Sequence, residues 1–214
     1  MKALLLSIML CAVSSFVVAG EVEYKEGVHY DIIDAPASKK PEVREFFSFY
    51  CPHCHNYERL AKAVKPSLPD GTFTRNHVDS LSMAVNPDQV RLTRALAVLQ
   101  QMSVADKEMG VSTLFDIIHR QRRKDLMGSE TSVKTILATS GIDASEIERL
   151  WDAPETLKIS EDMHAIQKDL FERELLQGVP SIVVNGKYLI KHEGLDKDNV
   201  IDDYAALLNY LLKK

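Results

Sequence analysis

Cys51 and Cys54 lie three positions apart and enclose Pro52 and His53. The thiolate is the sulfur species that attacks a disulfide, and it forms most readily beside positive charge or at the amino end of a helix. The chain has three cysteines. The third, Cys11, falls in an apolar leader, so the pair stands alone in the body of the protein. A bridge between Cys51 and Cys54 closes so short a loop that it removes little entropy from the unfolded chain. A reactive dithiol accounts for the spacing better than a structural staple. Two rivals share these residues. Cys51-Pro52-His53-Cys54-His55 also reads as the attachment signature of a c-type haem, and Cys51, Cys54 and His55 could begin a zinc site, though without a clear fourth ligand.

A dithiol gains reactivity from the elements that hold it. Val43 to Tyr50 is apolar and aromatic and reads as a strand buried on both faces. Cys54, Tyr57, Ala61 and Val64 then recur at helical spacing up to Pro66. The motif therefore sits at a strand-to-helix junction, with Cys51 at the helix start, where unpaired N–H groups and the dipole favour negative charge. Pro52 suits the first helical position because its missing N–H would be unpaired there anyway. His53 can add positive charge or donate to the sulfur. Cys54, one turn further in, is the resolving thiol. Pro69-Asp70-Gly71 marks a turn, and Thr72 to Val78 alternates like a strand. Strand, helix and strand at this length make a right-handed βαβ unit.

From Ser80 to about Lys168 the pattern is helical. Asn86-Pro87-Asp88-Gln89 reads as an N-cap, a first-position proline and a capping-box glutamine. Leu114, Ile117 and Ile118 belong to a further helix. His119 to Glu130 is polar and basic and reads as a loop or frayed helix end. Ser132 to Ser140 is helical and stops at Gly141. Asp143-Ala144-Ser145-Glu146 opens another capped helix that runs to Trp151. Glu155 to Leu176 is a long helix. The strand period returns in Ser181–Val184 and Lys187–Ile190, joined by Asn185-Gly186, the signature of a type I′ hairpin. Asn199 to Leu212 closes the chain as an amphipathic helix.

This order predicts an α/β thioredoxin fold with an inserted all-helical subdomain. The fold domain takes residues 20–79 and 168–214, and the insertion takes 80–167. In a thioredoxin fold a cis-proline opposes the dithiol where Val179-Pro180 precedes the hairpin, so that bond is expected to be cis although cis X–Pro bonds are uncommon in general.

Residues 1–19 read as a signal peptide. Lys2 is the only charge before Glu21, the run Ala3 to Val18 is apolar, and Ala19 or Gly20 offers a small residue at the cleavage point. Export to the periplasm is the expected localisation, in a compartment where disulfides form. The formal net charge is −5, which gives no reason to expect a nucleic-acid partner.

These segments resemble the DsbA family of bacterial periplasmic disulfide oxidases. The matching text is Glu45-Phe46-Phe47-Ser48-Phe49-Tyr50-Cys51-Pro52-His53-Cys54, then Asn76-His77-Val78, then Gly178-Val179-Pro180 and Val184-Asn185-Gly186-Lys187-Tyr188. Where members often carry a glycine pair after the second strand, this chain reads Ser80-Leu81-Ser82-Met83-Ala84. The resemblance implies donation of a Cys51–Cys54 disulfide to exported proteins with free cysteines. It implies reoxidation by a DsbB-like, quinone-linked membrane partner, a monomer, and no cofactor besides the redox-active disulfide. It also places acids at Glu45 and Glu58 and a base at Arg75 under the dithiol, where a buried acid can exchange protons with the resolving thiol. Read without the resemblance, Glu58 is a solvated helix face and Glu45 an edge position. His77 reads as structural or a weak modulator; His29, His119, His164 and His192 carry no assigned role. The alternatives are an isomerase or reductase of the same fold, and a peptide-binding, chaperone-like module whose dithiol is incidental.

Overall fold

The computed structural model describes residues 23–79 and 86–214. The leader and the segment Ser80–Ala84 lie outside the described residues. Five strands form one mixed sheet in the order β1-β5-β4-β2-β3. They are β1 (Tyr30–Ile32), β2 (Val43–Phe47), β3 (Phe73–His77), β4 (Ser181–Val184) and β5 (Tyr188–Ile190). β2 and β3 run parallel, as the βαβ reading requires, and the other pairings are antiparallel. Helix α1 (Pro52–Val64) makes the crossover.

Period-two alternation divides β2 between two cores. Phe46 joins Val78, Leu170 and Val183 on one face, beneath α6 (Pro154–Glu172). Val43 packs with Ile182, Val184, Leu207 and Leu208 on the other, beneath α1 and the closing helix α7 (Val200–Leu212). The Tyr57 and Tyr204 hydroxyls meet at 2.6 Å and tie α1 to α7. The hairpin turn has φ of 52° at Asn185 and 71° at Gly186, the paired left-handed conformations of a type I′ turn. Gly186 is required twice over, because a Cβ there would also run into the Pro36 carbonyl oxygen.

The block between β3 and β4 contains α2 (Pro87–Gln100), α3 (Val104–Phe115), α4 (Glu130–Thr139), α5 (Ala144–Trp151) and α6. Its core, built on Leu92, Leu96, Leu99, Leu114, Leu137 and Trp151, is continuous with Phe47, Phe49 and Cys54 of the parent fold. The inserted helices therefore form one wall of the dithiol region.

Three local expectations are revised and one strand is added. β2 ends at Phe47 rather than Tyr50, because Ser48–Tyr50 turn to deliver Cys51, with Cys51 N–H donating to Ser48 O at 3.0 Å. Strand β1 had no sequence signal; it is three residues long and exists by pairing with β5. His119 to Glu130, read as a loop or frayed helix end, begins in the π turn Asp116–Arg120 that ends α3, is irregular over residues 121–123, and then forms a 3-10 turn over Lys124–Gly128. Asn86 caps α2 through the Asp88 N–H, but Gln89 does not close a capping box: its side chain is buried and accepts from Ser48 Oγ at 2.9 Å. A tertiary partner has displaced the local one.

Candidate active site

Cys51 is the N-cap of α1, with extended backbone, and Pro52 occupies the first turn. The Cys51 Sγ accepts from the Cys54 N–H at 3.4 Å, an N-cap interaction made by sulfur instead of oxygen. It also lies 3.5 Å from the Val179 carbonyl oxygen, to which its S–H donates. The Val179–Pro180 bond is cis, and the Cys51–Val179 contact sets the segment entering β4 against the start of α1. Cys51 is partly exposed and Cys54 is buried, and both are free thiols. Burial pushes the Cys54 thiol well above its usual range; the adjacent Cys51 sulfur and the Glu45 carboxylate add to this, against a backbone donor from Ser48. The two sulfurs are therefore unequal: one meets solvent, while the other is held as a neutral thiol inside the fold.

Glu45, Glu58 and Arg75 come together beneath the dithiol helix. Glu45 and Arg75 are register partners on the parallel strands β2 and β3, so their side chains leave the sheet on the same face. Arg75 Nε donates to Glu45 Oε2 at 2.8 Å, and Arg75 Nη2 donates to Glu58 Oε2. All three are buried. Burial works against the guanidinium charge, but Glu45 and Glu58 outweigh it and hold the Arg75 pKa above its usual value. Glu58 is thus not a solvated helix position and Glu45 is not at an edge. Glu58 Oε1 has no hydrogen-bond partner among the described residues and faces Lys62 Nζ at 3.4 Å.

His53 is exposed on the first turn of α1 and, among the described residues, makes no side-chain hydrogen bond. His77 is buried; its Nδ1 lies 2.8 Å from Thr93 Oγ1, while its Nε2 is unpartnered. Burial lowers its pKa to about 3. His119, which carried no assigned role, reaches the dithiol loop. Its Nε2 bonds to the Phe49 carbonyl at 2.7 Å, and its ring stacks on His55 with centroids 4.9 Å apart and planes 6° apart. No local signal marks this, because the π turn that aims His119 is set by packing. The haem reading loses its geometry: Cys54 has no accessible surface, and His55 is stacked on another ring. Among the described residues, no three or more His, Cys, Asp and Glu side chains are grouped to hold a metal ion.

Residues 42–204 match the model of the DSBA-like thioredoxin domain. A thiol:disulfide interchange protein DsbA from Pectobacterium carotovorum is 35% identical over 203 residues, covering 92% of each chain. Among solved structures, the disulfide oxidoreductase DsbA from Proteus mirabilis superposes with a TM-score of 0.73 at 25% identity, covering 90% of this chain and 98% of that one. A complex of the Proteus protein with a non-covalently bound peptide, PWATCDS, superposes with a TM-score of 0.74 at 25% identity, covering 90% and 100%.

Proposed function

This chain belongs to the DsbA family of thiol:disulfide oxidoreductases, and on that premise we propose that Cys51 and Cys54 are its redox pair, acting as a periplasmic donor of disulfides to exported polypeptides. The observation that carries the reading is the inequality of the two sulfurs. Cys51 caps a helix at the surface, opposite Val179, while Cys54 lies buried behind it.

In the oxidised protein a substrate thiolate attacks Cys51 Sγ. The Cys51–Cys54 bond breaks, a substrate–Cys51 disulfide forms, and Cys54 leaves with the electron pair. Burial favours the neutral form of Cys54, so the departing sulfur takes up a proton as it leaves. Glu45, whose charge acts on Cys54, is the buried carboxylate placed to relay that proton from water to the leaving sulfur. A second substrate thiolate then attacks the substrate sulfur of the mixed disulfide and releases Cys51. The substrate has lost two electrons and the protein holds them as a dithiol. Pro52 and His53 shape the first turn, and Val179 and Pro180 form the opposing wall along which a substrate backbone can lie. The Proteus relative binds a cysteine-containing peptide, which supports a polypeptide substrate here.

The two sulfurs carry both electrons, so the reaction needs no further cofactor. The dithiol must be reoxidised, and a DsbB-like, quinone-linked membrane protein is the partner this reading requires. The protein acts as a monomer, exported by cleavage of residues 1–19. The test is to mix oxidised protein with a reduced, unfolded polypeptide that has two cysteines. The expected result is one substrate disulfide per protein consumed, abolished by Cys51→Ser. An equilibrium potential against glutathione separates an oxidase from a reductase, whose dithiol would give up its electrons more readily, and an isomerase would be found in the cell with its dithiol held reduced. A chaperone-like module would retain its full effect in Cys51→Ser.

A further inference from the structure

The run His119-Arg120-Gln121-Arg122-Arg123-Lys124 is a basic segment in a chain of net charge −5, and the chemistry above makes no use of it. The structure pins it beside the dithiol at two points. The π turn over Asp116–Arg120, followed by a bond from Arg123 N–H to Ile117 O at 2.9 Å, brings the chain back over the start of α1. At one end His119 holds the Phe49 carbonyl and stacks on His55, the residue after Cys54. At the other, Lys124 Nζ lies 5.0 Å from the ring centre of Tyr50, the residue before Cys51. The π turn ends α3, and the segment that leaves it sets an exposed cationic edge beside the residues that flank the dithiol.

Arg120, Arg122, Arg123 and Lys124 are all exposed. Asp116 pairs with Arg120 at 3.4 Å, and Asp125 pairs with Arg123 at 2.8 Å. Among the described residues, Arg122 and Lys124 have no acidic partner within salt-bridge distance. The nearby Asp88 is already engaged by Arg91 and by the Tyr50 hydroxyl. Arg59, Lys62 and Arg120 outnumber Glu58 and Asp116 along a trough of about 520 Å³ beside α1. Positive charge is therefore concentrated at the mouth of the site, against the sign of the whole protein.

We propose that Arg122 and Lys124 form a cationic rim that selects, among polypeptide substrates, those with Asp or Glu close to the reacting cysteine. This rests on the disulfide-donor reading. The rim takes no part in the bond changes; it raises the frequency with which an acidic segment meets Cys51. Steering of this kind changes association rates by roughly 10- to 1000-fold in favourable cases, and it is lost as added salt shortens the screening length from about 10 Å at 0.1 M to about 3 Å at 1 M.

The experiment uses three otherwise identical single-cysteine peptides whose cysteine is flanked by acidic, neutral or basic residues. Attack on the oxidised protein is timed at low and at molar salt. Each rate is divided by that peptide's rate with a small neutral disulfide, which removes differences in thiol reactivity. At low salt the acidic-to-neutral ratio is expected on the order of ten, the basic-to-neutral ratio below one, and both should approach one in molar salt. In Arg122→Asn with Lys124→Gln the acidic-to-neutral ratio should fall to near one; asparagine tolerates the φ of 58° at position 122. Lys124→Gln alone should lower it partway. Equal ratios in the unaltered protein at low salt, or a ratio that survives the double substitution, would overturn the rim. Failure to react with any peptide would instead sink the disulfide-donor reading on which the rim depends.

Discussion

Glu45 and Arg75 face each other across the parallel pair β2–β3 and form a buried ion pair at 2.8 Å, one layer beneath the dithiol helix. Arg75 also holds Glu58, so one cation serves two buried carboxylates. Taking charges out of water costs several kcal/mol per ion, and removing one partner leaves the others uncompensated. The cluster is thus a weak source of net stability but a sensitive one.

Arg75→Met is accordingly expected to destabilise the fold by about 3–5 kcal/mol. Among the described residues it leaves the two carboxylates with one cation within salt-bridge distance, the half-exposed Lys62, at 3.4 Å from Glu58. Arg75→Lys should recover part of that loss, since a point charge cannot reproduce two directed guanidinium contacts. Urea titrations measure both, and a cost below about 1 kcal/mol for Arg75→Met would mean that water already reaches the cluster.

Cys54→Ala should accumulate mixed disulfides through Cys51. Without the buried thiol the protein cannot release a bound substrate by its own intramolecular attack. Reducible adducts on non-reducing gels are the readout. Their absence from a folded Cys54→Ala protein, or their persistence in Cys51→Ala, would reverse the roles of the two sulfurs.

In the reduced protein, iodoacetamide at neutral pH should label Cys51 and leave Cys54 untouched until the protein unfolds. Cys54 has no accessible surface, and burial keeps its thiol protonated. A peptide map after brief labelling distinguishes the two, and early label on Cys54 would contradict the burial that the proposed mechanism depends on.

The parts of the fold that were readable in the sequence are those signalled by local punctuation. Pro52 after Cys51, Pro66 after Val64 and Asn185-Gly186 mark element ends whose backbone requirements are met within a few residues. Strand β1 was not readable, because Tyr30–Ile32 is only three residues long, too short for alternation to count, and is held by the edge of β5. Gln89 misled for the same reason in reverse: its local pattern satisfies a capping box, but Ser48, 41 positions away, captures its side chain. At the site, the cysteines were legible from spacing. Glu45 was marked only as a charge in an apolar strand, and its pairing with Arg75 depends on strand register. His119 was invisible, since the π turn that aims it arises from how α3 packs against Phe49 and His55.

The remaining prediction concerns acid stability. His77 is fully buried among Phe47, Phe49 and Thr93, and burial lowers its pKa from 6.5 to about 3. An imidazole with a depressed folded pKa stays neutral in the native state while the unfolded chain binds a proton. Its contribution is therefore fully present above the unfolded value of 6.5 and is lost as pH falls toward the folded value of about 3. Within that window the native state should lose about 1.4 kcal/mol per pH unit from this residue alone. His77→Gln removes the titrating group and can keep a polar atom near Thr93. It should cost stability at pH 7, where the packing is disturbed, yet show a shallower decline between about pH 6 and pH 4. Denaturant titrations of both proteins across that range decide the matter. Parallel declines would show that the His77 proton does not govern acid unfolding.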